Sequence, residues 1–472
     1  MKKAFISIDL GTTRLKVTAF SPNGKLLRQV NKRHSQFNDG EKSWQDANVW
    51  WSDVGKCCYE LVHSQDYRVL GLSLSGRGGA GVFLDGKGEV LAHPWSDNRH
   101  SEQHRQLILW RENGHFLPNY GAHLIAKLRW LNETHPEYAN RIRYACYAKD
   151  FLLFRLTGKH ITDWSSGPDR EYWDHAIPKD ERSKLPKPGL PWDLAGTLTR
   201  AAAKHLGLPA GTPVAVGAHD GVCANVGASA LETGEFAITL GTHAVTRTIT
   251  NEIPEGAYRF YGLPKNRHVI GGNALMGGRS VDWLLDLISP SQDDKTALYN
   301  NMEKHAQAVP IASQGLVFMP FLSGQVAPKK RPRASGGFHG IRTFHGQGQL
   351  YRSILEGVAY SIKDIFLQIE DWCGPAHYIC LTGGGSSSVL WQQILANILN
   401  RPLEISDAGV EGRGAAVFLS AALSGHGNFA DVARNMRQIS HTVLPKPDDS
   451  EAYDREYKRW KTISEQMAEM ND

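Results

Sequence analysis

Short apolar runs alternate along the chain with longer stretches of mixed polarity, a pattern typical of α/β proteins. The first runs fall at residues 4–9, 14–20 and 25–31. Ser21-Pro22-Asn23-Gly24 separates the second run from the third, and proline and Asn-Gly both suit tight turns. The pattern therefore predicts that the chain begins with a meander of three strands.

Further apolar runs predict elements deeper in the chain. Residues 68–75 and 81–84 predict another buried pair of strands, and residues 120–160 predict a helical region. Near the carboxyl end, residues 378–381 and 390–399 predict a strand followed by a helix. The alternation of the two element types predicts layers of helices packed on sheets.

Length and composition bound the class of protein. The chain has 472 residues, which is too many for one ordinary core and predicts two or three domains. With 41% hydrophobic and 21% charged residues and no apolar run of about 18 residues, it is expected to be globular without a membrane span. An aspartate interrupts the first apolar run and no cleavage site follows, so a cytoplasmic location is expected.

Charge and cysteine usage exclude several kinds of site. The net charge of +5 is small for this length, and the densest basic stretch, residues 329–333, is expected to be a solvated loop. We therefore expect no nucleic-acid binding. The six cysteines contain no C-x-x-C pair, which predicts reduced thiols and no zinc site.

Two segments that begin 230 residues apart share one pattern. Residues 6–12 and 236–242 each consist of an apolar strand that ends in Leu-Gly-Thr before a second strand. Chance and duplication both remain open as explanations. If the repeat is real, two similar α/β domains each carry a Gly-Thr hairpin turn. Only the first copy has an aspartate, Asp9, where the second has Thr239, so the two halves would differ in role.

The turn after Asp9 is a candidate phosphate loop. Gly11 permits a tight bend, and the backbone N–H groups and hydroxyls of Thr12 and Thr13 can bind phosphate oxygens. A carboxylate beside phosphates requires a cation between them, and Mg²⁺ is the usual one. A plain hairpin with a polar cap is the alternative. Because an unpaired charge at the end of a buried strand is costly, we favour the phosphate–metal interpretation.

Asp220 is a second candidate for chemistry. It follows an apolar strand and precedes a helical stretch, so the helix dipole would favour its ionised form. Such a carboxylate can cap the helix, or it can accept a hydroxyl proton during phosphoryl transfer. The local sequence supports both roles equally.

Two weaker motifs also deserve a functional interpretation. Residues 382–388 form a glycine-rich turn that can bind a nucleotide against bare backbone or can simply connect a strand to a helix. Residues 95–99 contain both Asp97 and Arg99, which can hydrogen-bond sugar hydroxyls or form a surface ion pair of small energy.

Taken together, these segments resemble the FGGY family of carbohydrate kinases. The similar motifs occur in the family's order over nearly the whole chain. They are Asp9-Leu10-Gly11-Thr12-Thr13, Trp95-Ser96-Asp97-Asn98-Arg99, residues 149–158 with Thr162-Asp163, Gly217-Ala218-His219-Asp220-Gly221, Gly241-Thr242, residues 320–324, residues 355–359 and Gly383-Gly384-Gly385.

The resemblance implies an α/β fold of two actin-like, ribonuclease H-like ATPase domains that face a central cleft. Residues 1–244 would form the domain that binds sugar and carries the catalytic Asp220, and residues 245–472 would form the nucleotide-binding domain. The cofactors would be ATP and Mg²⁺, with Asp9 holding the metal through water. The implied phosphate and nucleotide ligands are Gly11, Thr12, Thr13, Gly241, Thr242, Gly278, Gly384 and Ser388.

The substrate-binding residues implied by the resemblance are Arg77, Gly78, Asp97, Arg99 and Asp220. Xylulose kinases carry G-Q-M-H-G where this chain has residues 76–80, so two side chains that touch substrate in the family are missing. Arg77 either replaces them or is a structural arginine. The expected substrate is a ketopentose of the xylulose type, with a polyol such as erythritol or an aldonate such as gluconate as alternatives.

The resemblance also implies the partners. They are the small sugar and ATP, with a homodimer as an open option and no nucleic acid or membrane. From another class of protein, a non-catalytic actin-like ATP-binding or sugar-sensing protein is the competing interpretation. The retained Asp220 and the segment at residues 95–99 speak against it, because a protein without a sugar substrate does not need them.

Overall fold

A computed structural model describes residues 1–63, 66–112, 119–167, 177–257, 259–263, 267–289, 295–425 and 428–469. The chain forms two compact units. The first comprises residues 1–229, 259–269 and 409–438, and the second comprises residues 230–258, 270–408 and 439–472. The division after residue 244, which the sequence predicts for the functional domains, stays a prediction.

Strands and helices alternate in both units. The strands are β1 (Lys2–Leu10), β2 (Arg14–Phe20), β3 (Leu26–Arg33), β4 (Phe37–Asp39), β5 (Lys42–Trp44), β6 (Tyr67–Gly76), β7 (Gly81–Leu84), β8 (Val90–Ala92), β9 (Tyr144–Tyr147), β10 (Ile161–Asp163), β11 (Lys187–Gly189), β12 (Leu194–Thr197), β13 (Pro213–Ala215), β14 (Ala218–His219), β15 (Glu235–Leu240), β16 (Ala244–Thr250), β17 (Arg259–Leu263), β18 (Arg267–Ala274), β19 (Val317–Met319), β20 (Gly337–His339), β21 (Tyr378–Thr382), β22 (Leu403–Ser406) and β23 (Ile439–Val443).

The helices are α1 (Ala47–His63), α2 (Ser101–Glu112), α3 (Asn119–Thr134), α4 (Pro136–Ala139), α5 (Ala148–Thr157), α6 (Lys179–Arg182), α7 (Arg200–Leu206), α8 (Asp220–Gly227), α9 (Gly278–Ile288), α10 (Lys295–Gln307), α11 (Gln347–Cys373), α12 (Val389–Leu399), α13 (Val410–Ser424), α14 (Phe429–Met436) and α15 (Pro447–Glu469). Short 3₁₀ turns lie at Ile311–Gly315 and Gly384–Ser387. Within the described ranges, no helix has both the length and the apolar character that crossing a membrane requires.

The first unit is built on a mixed sheet in the order β12–β13–β6–β1–β2–β3, and β14 also pairs with β6. The predicted meander of β1, β2 and β3 is confirmed. Strand β1 pairs antiparallel with β2 and parallel with β6, and its residues 4–10 are all buried. Helix α13 packs on β1 and β6, and α1 packs on β2 and β3. Because successive strand residues point to opposite faces and residues 4–10 are all buried, β1 is covered on both faces. A strand in that position needs a nearly continuous apolar sequence.

A second, smaller sheet in the same unit corrects two predictions. Strand β7 does not join β6 as a pair but lies between β8 and β9. The helical region predicted over residues 120–160 is interrupted by β9, which pairs antiparallel with β7. A four-residue apolar run such as Tyr144–Tyr147 fits a helix or a strand equally well, and here the pairing with β7 decides.

The second unit repeats the local topology of the first. Its strands β16, β15, β21, β22 and β23 are neighbours in that order. Strand β15 pairs antiparallel with β16 and parallel with β21, as β1 does with β2 and β6. The second hairpin turn is shorter, since it closes between Leu240 and Ala244, whereas the first closes between Leu10 and Leu15. The two similar sequence segments therefore mark a structural repeat.

The backbone between β13 and β14 gives a test of this packing. Gly217 has a φ of 72°, and a Cβ there would lie 1.9 Å from the carbonyl oxygen of Leu74. Gly211 has a similar φ of 82°, but a Cβ there would meet no atom within 4 Å. Gly217→Ala is expected to lower the free energy of unfolding by about 3 kcal/mol or more, and Gly211→Ala by about 1 kcal/mol. Urea unfolding measures both, and equal losses would contradict the close contact.

Candidate active site

Asp9 lies at the end of β1 within a row of alternating charges. The Ser75 hydroxyl donates a hydrogen bond of 2.8 Å to Asp9 Oδ1. The Lys16 ammonium lies 3.5 Å from Asp9 Oδ2 and 3.5 Å from Glu411 Oε2. Lys16 stands directly opposite Asp9 in the β1–β2 hairpin, so the strand register creates this pair.

Charges of both signs act on Asp9. Burial raises the pKa of Asp9 to about 6, and the negative charges of Glu411 and Asp220 add to that effect while Lys16 and Ser75 oppose it. Asp9 and Glu411 thus share the Lys16 ammonium, and the charge of Asp220 also acts on Asp9. In the described part of the chain, no group of three or more His, Cys, Asp or Glu residues could hold a metal ion by itself. The residues fit Mg²⁺ that keeps its waters and is bound largely by phosphate oxygens.

The turn after Asp9 is closed by its own backbone. The Gly11 N–H donates to the Arg14 carbonyl oxygen at 3.1 Å, and a Cβ at Gly11 would lie 3.1 Å from that oxygen. The Gln45 side chain donates to the Thr12 carbonyl oxygen at 3.1 Å and so holds the turn from outside. Thr12 and Thr13 are exposed. Their side chains are therefore accessible to a phosphate group.

Asp220 is the first residue of α8, and its side chain is 33% exposed. The N-cap position belongs to His219, whose Nδ1 accepts a hydrogen bond of 3.1 Å from the Gly221 N–H and lies 2.8 Å from Asp220 Oδ1. The alternative interpretation of Asp220 as the helix cap is therefore wrong. Strand β14 pairs with β6, where Ala218 stands opposite Ser75. Because β1 also pairs with β6, Asp9 and Asp220 lie at the ends of two strands that pair with β6.

Arg77 is held close to this edge by three contacts. Its guanidinium donates to Gln45 Oε1 at 3.1 Å and to the Thr12 carbonyl oxygen at 3.5 Å, and it lies over the Trp50 ring, 5.4 Å from the ring centroid. Burial lowers the pKa of Arg77 to about 10, and the negative charge of Asp220 partly opposes that effect. Arg77 therefore acts electrostatically on Asp220, the carboxylate for which the family resemblance predicts a catalytic role.

Asp97 and Arg99 form a closed pair. Arg99 Nε donates to Asp97 Oδ1 at 2.6 Å, a second guanidinium N–H donates to Oδ2, and the Ser43 N–H donates to Oδ2 at 2.9 Å. Burial opposes ionisation, but these hydrogen bonds outweigh it and hold the pKa of Asp97 well below its usual range. Arg99 also lies over the rings of Trp95 and Trp130. The sugar would therefore meet this pair as one fixed unit.

Sequence reasoning missed Lys127. Its buried ammonium donates to the carbonyl oxygens of Gly79, at 2.8 Å, and of Trp95. Burial lowers the pKa of Lys127 to about 7. The contact ties the segment that contains the half-buried Gly78 to the segment that contains the Asp97–Arg99 pair. The signal was present, because Lys127 is the only charge in the apolar run at residues 124–128.

The predicted nucleotide residues of the second unit gather around the end of β15. The Gly278 N–H donates to the Gly241 carbonyl oxygen at 2.7 Å, and a Cβ at Gly278 would lie 3.0 Å from that oxygen. A Cβ at Gly383 would lie 2.6 Å from the Leu240 carbonyl oxygen. Thr242 is exposed beside them. Three backbone segments therefore meet where side chains would not fit.

Gly384 and Ser388 differ in how the protein uses them. Gly384 is exposed, and a Cβ there would meet no atom within 4 Å, so a ligand has room beside it. The Ser388 hydroxyl accepts from the Trp391 N–H at 3.1 Å and donates to Glu303 Oε1 at 2.8 Å, which makes it the cap of α12. The nucleotide-binding role of both residues stays a prediction.

Comparison with known proteins decides the family. The family model described as "FGGY family of carbohydrate kinases, N-terminal domain" matches residues 4–227. The model of the corresponding C-terminal domain matches residues 227–423. The chain belongs to the FGGY family of carbohydrate kinases. As a member of this FGGY family, it is a phosphotransferase with an alcohol group as acceptor.

Relatives of known name span the same length. The chain is 26% identical to a gluconokinase of Bacillus licheniformis, over 96% of this chain and 94% of the relative. It is 27% identical to a xylulose kinase of Escherichia coli strain K12, over 94% of this chain and 92% of the relative. The structure of a gluconate kinase from Lactobacillus acidophilus superposes with a TM-score of 0.84 at 23% identity and 99% coverage of both chains. The predicted fold class, with two actin-like domains, is confirmed.

The raised pKa of Asp9 predicts how its removal affects stability. Since the folded state binds this proton more tightly than the unfolded chain, the stability that Asp9 contributes is full below about pH 4 and is lost as the pH rises through 6. Without nucleotide and Mg²⁺, Asp9→Asn is therefore expected to be about 1–2 kcal/mol more stable than the wild type at pH 7, but equal to it near pH 4. Urea unfolding at both pH values measures the difference.

Asp66 provides a control, because its ion pair with the amino terminus is exposed and Asp66→Asn should change stability by less than about 1 kcal/mol at both pH values. If Asp9→Asn is less stable than the wild type at pH 7, burial does not destabilise the ionised form of Asp9, and the raised pKa is contradicted.

Proposed function

We propose that this carbohydrate kinase transfers the γ-phosphoryl group of ATP to a hydroxyl of a small sugar, with Asp220 as the proton acceptor. One observation carries the proposal: Asp9 and Asp220 lie at the ends of two strands, β1 and β14, that both pair with β6, and the charge of Asp220 raises the pKa of Asp9. A metal-facing carboxylate beside a proton-accepting one is the arrangement that phosphoryl transfer needs.

The position of Asp220 suits proton acceptance. Its side chain is partly exposed, so a sugar hydroxyl can reach it, and it stands at the amino end of α8, where the helix dipole favours an anion. His219 Nδ1 lies 2.8 Å from Asp220 Oδ1. A carboxylate in contact with the attacking hydroxyl contributes to rate by orientation as well as by proton transfer.

Asp9 is proposed to hold Mg²⁺ through water. The bound ion would neutralise charge on the β- and γ-phosphates during transfer. The exposed Thr12 and Thr13, beside Gly11, would bind phosphate oxygens. In the second unit, the proposed phosphate and nucleotide contacts are Gly241, Thr242, Gly278, Gly384 and Ser388. A cytoplasmic location and assembly as a homodimer also stay predictions. ATP is the proposed phosphoryl donor.

A ketopentose of the xylulose type is the proposed substrate. Relatives named xylulose kinase align over nearly the whole chain. A sugar acid is a second candidate, and a specific observation favours it: the half-buried Arg77 places a positive charge near Asp220, where a substrate carboxylate would be attracted. Two of the relatives are named gluconokinase.

Asp220→Asn tests the role of the base. Turnover is expected to fall by about a thousandfold or more, because both proton acceptance and charge placement are lost, while ATP binding stays unchanged. A coupled assay of ADP release gives the rate, and calorimetry gives the affinity for ATP. Asp180→Asn, which changes an exposed aspartate in the first turn of α6, is the matched control. Near-normal turnover of Asp220→Asn would remove this residue from the mechanism.

A screen of D-xylulose, L-xylulose, erythritol and D-gluconate identifies the substrate class, and Arg77→Gln then separates the two candidates. If the substrate is an aldonate, the KM for the aldonate is expected to be about tenfold higher or more in the variant, since a charge-assisted contact is lost. If the substrate is a neutral ketopentose, the KM should change by less than about threefold. Failure of every carbohydrate to raise ATP turnover would contradict the proposed function.

A further inference from the structure

A buried ionic cluster lies behind the candidate base. The Lys149 ammonium is 2.6 Å from Asp150 Oδ1 and 3.0 Å from Asp163 Oδ1, and all three side chains are at most 1% exposed. Burial opposes the charge of the lysine, but the two carboxylates outweigh that effect and raise the pKa of Lys149 above its usual range. The cluster is therefore a fixed set of charges that solvent does not reach.

Ser165 connects this cluster to the backbone beside Asp220. The N–H and the hydroxyl of Ser165 both donate to Asp163 Oδ2, the N–H at 2.7 Å. The Ser165 hydroxyl oxygen in turn accepts a hydrogen bond of 3.0 Å from the His219 N–H. An unbroken series of polar contacts thus runs from Lys149 to the residue that precedes Asp220.

The cluster also fits tightly beneath the strand ends of the site. A Cβ at Gly76 would lie 2.8 Å from Lys149 Cβ, and Gly76 stands opposite His219 where β6 pairs with β14. The preceding residue, Ser75, donates to Asp9. Lys149 therefore packs against the end of β6, the strand that pairs both with β1, which carries Asp9, and with β14, which precedes Asp220.

Stability alone does not explain such a cluster. Buried ion pairs are often no more stabilising than well-packed apolar residues of similar volume. Burial raises the pKa of Asp150 to about 6, so this second carboxylate is costly to keep ionised. The cluster also orients a hydroxyl group. The Ser165 hydroxyl donates its hydrogen to Asp163, which leaves its oxygen free to accept from the His219 N–H.

We propose that Ser165, held by Asp163 and Lys149, is a positioning residue that fixes the backbone at His219 and so orients the carboxylate of Asp220. The inference rests on the proposed role of Asp220 as the proton acceptor. Ser165 touches neither sugar nor nucleotide in this role. Its effect would appear in the rate of the chemical step, because a displacement of about 1 Å at a reacting group can cost about a hundredfold in rate.

Ser165→Ala tests the inference, with Ser166→Ala as the matched control. The Ser166 hydroxyl donates to the other oxygen of the same carboxylate, Asp163 Oδ1, at 2.7 Å, and Ser166 is also buried. Ser165→Ala is expected to lower kcat by about 10- to 100-fold and to change the KM for ATP and for the sugar by less than about threefold. Ser166→Ala is expected to keep kcat within about threefold of the wild type.

The assay uses whichever of L-xylulose, D-xylulose, erythritol or D-gluconate gives the fastest ADP release, and rates are corrected for the folded fraction from thermal melts. If Ser165→Ala folds poorly, Ser165→Cys replaces it, since a thiol fills a similar volume but accepts hydrogen bonds weakly. Ser165→Thr, which keeps the hydroxyl, is expected to restore kcat to within about tenfold of the wild type.

Two outcomes overturn the inference and are distinguishable. If Asp220→Asn is inactive while Ser165→Ala and Ser166→Ala have equal kcat, the positioning role falls and the proposed function stands. If Asp220→Asn retains turnover, the proposed base and the positioning role fall together. A loss confined to kcat in Ser165→Ala, with Asp220→Asn inactive, supports both.

Discussion

The candidate site depends on one constraint, which is that a carboxylate lies at the end of a strand covered on both faces. Burial raises the pKa of Asp9 to about 6, so the ionised form is costly unless neighbours stabilise it. Two partners oppose that cost: Lys16 stands opposite Asp9 in the hairpin, and Ser75 lies beside it on β6. The parallel pairing of β1 with β6 and the antiparallel pairing with β2 are therefore requirements of the site as well as of the sheet.

The second unit has the same strand topology but no carboxylate at the matching position. At the position that matches Asp9, Thr239 accepts a hydrogen bond of 3.3 Å from Arg247. Glycines of two further segments pack against the end of β15, where a Cβ at Gly278 or Gly383 would approach carbonyl oxygens within 3.0 Å. Backbone groups rather than carboxylates thus dominate this edge. One local topology thus ends in a carboxylate-lined edge in one unit and a glycine-lined edge in the other.

Features that depend on residues close together in the sequence could be predicted. The meander, the glycine-containing turns and the pairing of Asp97 with Arg99 follow from local patterns, and Lys16 could have been found from the register of the first hairpin. Contacts between distant segments could not be found this way. The hydrogen bond from His219 to Ser165 joins residues 54 positions apart, and β9 was mistaken for part of a helix because only its pairing with β7 distinguishes the two.

Two sets of buried charge therefore lie next to each other in the first unit, and they differ in whether a ligand can reach them. The ammonium of Lys149 is enclosed by Asp150 and Asp163, and all three side chains are nearly inaccessible. The carboxylates of Asp9 and Asp220 lie at an edge where Asp220 is one-third exposed and their mutual repulsion is only partly relieved by the chain. Ligand charge can change the energy of the second set but not of the first. This difference agrees with the proposed roles, in which the first set fixes geometry and the second binds a metal–phosphate group and accepts a proton.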